Sequence, residues 1–479
     1  MKQIKWYEEA LLRKEALIED LKTLLRIESV KDLESAFENR PMGENIGQAL
    51  EYMLSLSSDA GFTTKNIEGY AGLAEYGSSE DYIGVLCHLD VVPATGDWIS
   101  PPFEPAIRDG KLYGRGAIDD KGPTIAAFYG LKIIKGLGLP LKHRIRIIFG
   151  TDEESGMRGI KKYIEKEPLP IAAFSPDADF PIINAEKGQI NVKLSQIKNT
   201  EDYSGSNYNF KLISFTSGDR ANMVPDRAHA AIKGNDITHI LESFKAYCTG
   251  RNLENSFNIA NNELTLTIKG KSAHSMEPHK GVNAGLLMAD FLKSFLLHPQ
   301  DHNYINFINK YLYNDFYGKA LGIDYSDDIT GPLTVNAGIL RYEENNGGYI
   351  QLNIRFPVTT HYLRTIENII SAAEASSFET SEIREKKPHY VESGHSIVKT
   401  LQKVYYEETG EVPVLLSTGG NTYAGLMDRC VAFGPVFPGK EATAHRNDEH
   451  IEIEDLIKAT AIYARAMYEL ANTDIEKSS

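Results

Sequence analysis

The sequence predicts an α/β domain built on a mainly parallel central sheet and interrupted by a large inserted α+β domain. Three observations predict it. Short, nearly unbroken apolar runs at 82–87, 145–149 and 172–174 suit strands covered on both faces, and a helical stretch at 122–136 lies between the first two. The texture then changes to strict alternation, with Leu264, Leu266 and Ile268, and later Ile350, Leu352 and Ile354, separated by polar residues as in half-exposed antiparallel strands. Beyond Lys387 helical periodicity returns, so the first domain is discontinuous, 1–188 with 388–479, and 189–387 is the insertion. A chain of 479 residues is past the roughly 250–300 at which a single core stops growing, which agrees with two domains.

In chain order, Leu17, Leu21, Leu24 and Leu25, then Ile46, Leu50, Met53 and Leu54, fall at helical spacing and open the chain with two amphipathic helices. The crossover helix at 122–136 tolerates Pro123 because it sits in the first turn. Strand, helix, strand in that order is the pattern of an α/β layer. The polar stretch 199–209 reads as a loop. Ile397, Val398, Leu401 and Val404, and the segment from Leu456 to Leu470, supply the closing helices.

Composition narrows the function. A net charge of -15 disfavours nucleic acid, whose binding needs clustered Lys and Arg. The amphipathic N-terminus and the lack of a long apolar run give an expectation of a cytoplasmic protein with no membrane partner. Cys87, Cys248 and Cys430 are odd in number and form no CxxC pair, so reduced thiols are expected and any metal site must use His and carboxylate ligands.

Five segments carry candidate chemistry. In Cys87-His88-Leu89-Asp90-Val91-Val92-Pro93 an apolar strand ends in a His, with a carboxylate two residues on that shares its face and could hold the other ring nitrogen. In Gly114-Arg115-Gly116-Ala117-Ile118-Asp119-Asp120-Lys121-Gly122 a glycine-rich loop brings adjacent acids to a helix start, either as an N-cap or as a carboxylate bridging two cations. Asp152-Glu153-Glu154 follows a strand directly; it is either an acidic first turn or a ligand beside an unligated base. Ser175-Pro176-Asp177 follows another strand, and Ala444-His445-Arg446-Asn447-Asp448-Glu449-His450 lies near the C-terminus. Each alone is weak, but together they give the histidine and carboxylate mix that zinc takes at an open catalytic site.

The order HLDVVP, GRGAIDDKG, TDEESG, SPDADFP, AHRNDEH resembles the M20 metallopeptidase family, and most closely its PepV-like dipeptidases. Asn222-Met223-Val224-Pro225, Gly270 to Ser275 and Asn353 to Pro357 extend the resemblance into the insertion, which it identifies as a lid. The resemblance implies two Zn2+ per chain, with Mn2+ or Co2+ as alternatives. It implies His88 and Glu154 on one ion, Asp177 and His445 on the other, Asp119 bridging, and a cis peptide between Asp119 and Asp120. Glu153 is then the general base and Asp90 orients His88. His274 polarises the scissile carbonyl, Asn222 and Arg355 hold the substrate, and a doubled lid makes a dimeric partner unnecessary, so a monomer is expected.

Arg355 also stands out without the resemblance. It shares a strand face with Tyr349, Gln351 and Asn353, and its guanidinium suits a C-terminal carboxylate. The loop from Ser417 to Gly425 departs from the family pattern at Asn421 and Gly425; backbone N–H groups there, Gly420 among them, are expected to take the substrate carboxylate. The expected activity is zinc-dependent hydrolysis of dipeptides. N-acyl amino acids are the alternative substrate class, and a non-catalytic metal-binding protein is the alternative of another kind.

Overall fold

The structure is a computed structural model that describes residues 4–198 and 207–475. Of the loop expected at 199–209, residues 199–206 lie outside the described residues. The chain divides into two compact units, 1–185 with 389–479, and 186–388.

The first unit carries a nine-stranded mixed sheet among the described residues. Its centre is parallel: Tyr82–His88 lies between Arg144–Gly150 and Ala172–Ser175, and Cys430–Ala432 pairs beyond the last of these. The flanking strands Thr63–Ile67 and Ala71–Tyr76 on one side, and Ile182–Glu186 on the other, run antiparallel. Every residue of Tyr82–His88 is buried, which explains why this strand is apolar without alternation.

Helices Lys14–Leu25, Lys121–Gly136 and Ile453–Asn472 cover the sheet, with Leu17, Leu21, Leu24 and Leu25 fully buried in a shared core. Helix Lys121–Gly136 is buried over most of its length, since it packs against both the sheet and helix Ile453–Asn472. Its start is tight: a side chain at Gly122 would place a Cβ 2.1 Å from the Ala117 carbonyl oxygen. Glycine is therefore what lets the acidic loop fold down onto the first turn.

Among the described residues the second unit carries an antiparallel eight-stranded sheet, in the order Asn255–Ala260, Glu263–Lys269, Arg227–Gly234, Phe210–Ser217, Thr334–Glu343, Gly347–Phe356, Gly188–Gln196, Phe378–Lys386, and a small hairpin of Ser326–Asp327 with Gly331–Pro332. Two four-stranded halves meet where Phe210–Ser217 pairs with Thr334–Glu343. Leu264, Leu266, Ile268, Ile350, Leu352 and Ile354 all point into its single core, as their alternation predicts. Helices Ile237–Gly250, Ala284–Leu292, Pro299–Tyr311 and Tyr362–Glu374 complete the unit. Among the described residues no helix is long and apolar enough to cross a membrane.

Candidate active site

In the first unit the chemistry collects at the carboxyl ends of the parallel strands, where open α/β sheets hold ligands. His88 ends the central strand. Its Nδ1 lies 2.9 Å from the Asp90 carbonyl oxygen, an arrangement in which Nδ1–H donates and Nε2 keeps its lone pair for a ligand. The Asp90 carboxylate is farther from that ring, at 3.6 Å, and instead accepts the backbone N–H groups of Glu153 at 3.0 Å and Glu154 at 3.1 Å. Asp90 thus grips the acidic turn more directly than it grips the imidazole.

Five candidate ligands and Glu153 come together. His88 Nε2 is 3.0 Å from Asp119 Oδ1 and 3.7 Å from Asp177 Oδ2. His445 Nε2 is 3.0 Å from Asp119 Oδ2 and 3.0 Å from Glu154 Oε1. The nearest contacts therefore group His88 with Asp177 and His445 with Glu154 around the two oxygens of Asp119, which differs from the pairing the resemblance implies. Two sets, His88 with Glu153 and Asp177, and His88 with Asp119 and Glu154, each have their ligand atoms within 4.8 Å of one another. The Asp119–Asp120 peptide is cis.

The electrostatics of this cluster ask for positive charge. Burial, together with neighbouring acids, pushes Glu153 and Asp177 well above the usual carboxylate range, and burial raises Glu154 and Asp120 as well. Asp119 is held low despite its burial because His445 and His88 donate to it. Burial opposes a charge on His445, but its contacts with Asp119 and Glu154 carry its pKa up to about 11. Glu153 Oε1 and Asp120 Oδ1 are buried without a hydrogen-bond partner among the described residues. Buried acceptors of this kind, beside imidazole nitrogens and with no thiolate, fit divalent cations of the zinc type.

Sequence reasoning missed several groups that shape the site. Asp120 Oδ2 accepts the His88 backbone N–H at 3.0 Å. Tyr423, fully buried, sets its ring 6.2 Å from that of His88, and its hydroxyl lies against Gly150. Glu449 accepts from the Asp119 loop over a separation of more than 300 residues, a contact that no local pattern in the sequence signals. The predicted Gly420 N–H already donates to Thr418 Oγ1 at 2.9 Å, inside its own loop.

The predicted residues of the second unit are on a separate body. His274 bridges to Met223, and the Ser275 N–H donates to the Asn222 carbonyl at 2.9 Å, so the two loop motifs are neighbours. Asn222 is exposed, whereas Arg355 is only 4% exposed and donates through Nε to Asn353 Oδ1 at 3.0 Å. Burial lowers the Arg355 pKa to about 10.

Known proteins agree with this architecture. A Bacillus subtilis (strain 168) protein, YtjP, provisionally named a dipeptidase, is 46% identical over 466 residues, 97% of this chain and 99% of its own. A Staphylococcus haemolyticus (strain JCSC1435) protein with the same kind of name is 38% identical over the same shares. Among solved structures, the di-peptidase Dug1p of Saccharomyces cerevisiae superposes with a TM-score of 0.58 at 14% identity, covering 98% of each chain, and human carnosine dipeptidase 1 with 0.56, covering 98% of this chain and 99% of its own. The family model described as Peptidase family M20/M25/M40 matches residues 84–469, and on that match the chain belongs to this family and is a hydrolase of peptide bonds.

Proposed function

We propose that the enzyme hydrolyses dipeptides with a free C-terminal carboxylate, using two zinc ions, or manganese or cobalt, held by His88, Asp119, Glu154, Asp177 and His445. The observation that carries the reading is the convergence of these side chains around Glu153, whose buried Oε1 has no partner among the described residues. The near contacts favour His88 and Asp177 on one ion and Glu154 and His445 on the other, with Asp119 shared. When bound, such ions act as Lewis acids and bring the pKa of water down toward about 7.

Glu153 takes a proton from the attacking water and returns it to the leaving amine nitrogen. Asp90 keeps Glu153 and Glu154 in place through their backbone N–H groups, and its carbonyl fixes the His88 tautomer. In the second unit His274 polarises the scissile carbonyl, and Asn222 and Arg355 hold the substrate. The dipeptide class is supported by the names of relatives that match nearly end to end. Three buried cysteines, none of them in a disulfide, fit a reducing cytoplasm, where we place the enzyme as a monomer; a stable dimer in sedimentation at micromolar concentration contradicts the last point.

The test combines Glu153→Gln with a substrate panel of dipeptides, tripeptides and N-acetyl amino acids, and with metal analysis of both proteins. The expected result is dipeptide preference in the wild type and, in the variant, full metal content with kcat lowered about 10²–10⁴-fold. Preference for N-acetyl amino acids, or undiminished turnover by the variant, overturns the proposal.

A further inference from the structure

We propose that Glu449 is a positioning residue that locks the Asp119 loop to the His445 segment and so holds these two candidate ligands in register for a cation pair. The inference rests on the metal reading above and adds a residue that reading does not use. Glu449 is fully buried. Its Oε1 accepts three backbone N–H groups, from Gly116 at 3.0 Å, Ile118 at 3.1 Å and Asp119 at 3.3 Å, while Oε2 takes the guanidinium of Arg115. One carboxylate therefore organises four donors of the single loop that presents Asp119. Arg115, 2% exposed, is itself held between this carboxylate and the Trp98 ring, 5.1 Å from its centroid.

The other half of the lock is the segment that Glu449 belongs to. His445 and Asp448 both adopt left-handed backbone, with φ of 63° and 54°. Few residues other than glycine adopt that conformation, His and Asp more readily than most, and here local hydrogen bonds accompany it. Asp448 Oδ1 accepts the Ile99 N–H at 2.9 Å, Asn447 Nδ2 donates to the Asp97 carbonyl at 2.9 Å, and Thr443 Oγ1 donates to the His450 carbonyl at 2.8 Å. Only three residues thus separate a group that fixes the Asp119 backbone from the imidazole that meets the Asp119 carboxylate at 3.0 Å. Shifting Glu449 moves both partners of that contact at once.

A purely space-filling role would be served by an apolar side chain without burying a charge. A carboxamide in its place has one acceptor oxygen: if that oxygen serves the loop, the NH2 group faces the guanidinium of Arg115, donor against donor. Glu449→Gln is therefore expected to loosen the loop while changing little of its volume.

Metal-free wild type, Glu449→Gln, Lys440→Ala and Asp119→Asn are titrated with Zn2+ in competition with a chromophoric chelator, and the Co2+-loaded proteins are compared by absorption. Glu449→Gln is expected to bind at least one ion about 10–100-fold more weakly and to shift the Co2+ bands, whereas Lys440→Ala, which breaks an exposed ion pair with Glu452 at 2.6 Å, stays near wild type. Glu449→Asp, which keeps the charge but withdraws the oxygen from the loop, carries the same expectation should the first variant not fold. Wild-type affinity and Co2+ bands in both Glu449 variants, or equal losses in Lys440→Ala, overturn the lock while weak binding by Asp119→Asn leaves the metal reading standing. Unchanged binding by Asp119→Asn overturns the metal reading itself.

Discussion

In the first unit, acids crowd the strand ends with acceptor atoms left over, and Glu153 Oε1 and Asp120 Oδ1 have no partner among the described residues. In the second unit a buried polar group of similar density closes on itself. Asn353, fully buried, donates to Asn191 at 2.7 Å and accepts from Ser275 at 2.6 Å and Arg355 at 3.0 Å. Asn336 likewise donates to the carbonyls of Ala221 and Met223 at 2.8 and 2.9 Å. Polar groups that satisfy one another hold a shape; acids whose spare lone pairs face a common point call for a cation. The contrast separates a side-chain cluster that suits a cation from one whose polar groups bond to one another.

The sharpest way to test that contrast on the metal side is Gly150→Ala. A Cβ at Gly150 would lie 2.1 Å from the Tyr423 hydroxyl and 2.7 Å from its ring, and Tyr423 is fully buried and cannot swing away. Overpacking here is expected to destabilise the protein by about 3 kcal/mol, and to weaken Zn2+ binding because the strand leads directly into Glu153 and Glu154. Denaturant melts and the chelator titration check both effects; a variant as stable as the wild type would show that Tyr423 yields.

On the other side of the contrast, Asn353→Ala strips partners from Asn191, Ser275 and Arg355 at once. The expected cost is about 2–3 kcal/mol in a denaturant melt, with zinc stoichiometry unchanged. Loss of zinc from this variant would erase the distinction between the two units.

The sheet centre was readable because strand apolarity is a local signal, whereas the set of candidate ligands came from the resemblance of five separated motifs to one family. The carboxyl-end position of His88, Glu154 and Asp177 follows from chain order alone. What sequence could not supply is any contact that joins distant segments. The grip of Asp90 on the Glu153 and Glu154 backbone joins the ends of two neighbouring strands some sixty residues apart, and the near pairing of His445 with Glu154 and the seat of Glu449 on the Asp119 loop depend on how the chain returns after an insertion of about 200 residues. Arg355 was singled out as a carboxylate fork from its strand face, yet its burial beside Asn353 is a packing fact that alternation does not encode.

The smallest expected effect concerns a buried acid of the second unit that does have partners. Asp301, 2% exposed, accepts the Leu212 N–H at 2.6 Å and the Tyr342 hydroxyl, yet burial outweighs both and raises its pKa to about 6. In the unfolded chain the same group titrates near about 3.9. Between these values the folded state holds the extra proton, so the stability this group contributes is present below the unfolded pKa and is lost as pH rises through 6. Relative to Asp301→Asn, whose side chain stays neutral, the wild type is expected to gain no more than about 2 kcal/mol as pH falls from 7 to 4. Denaturant melts of both proteins across that range measure the difference. A gap that stays constant with pH would mean that the hydrogen bonds of Leu212 and Tyr342 fully offset burial, and that closure of a polar group in this unit extends even to a carboxylate.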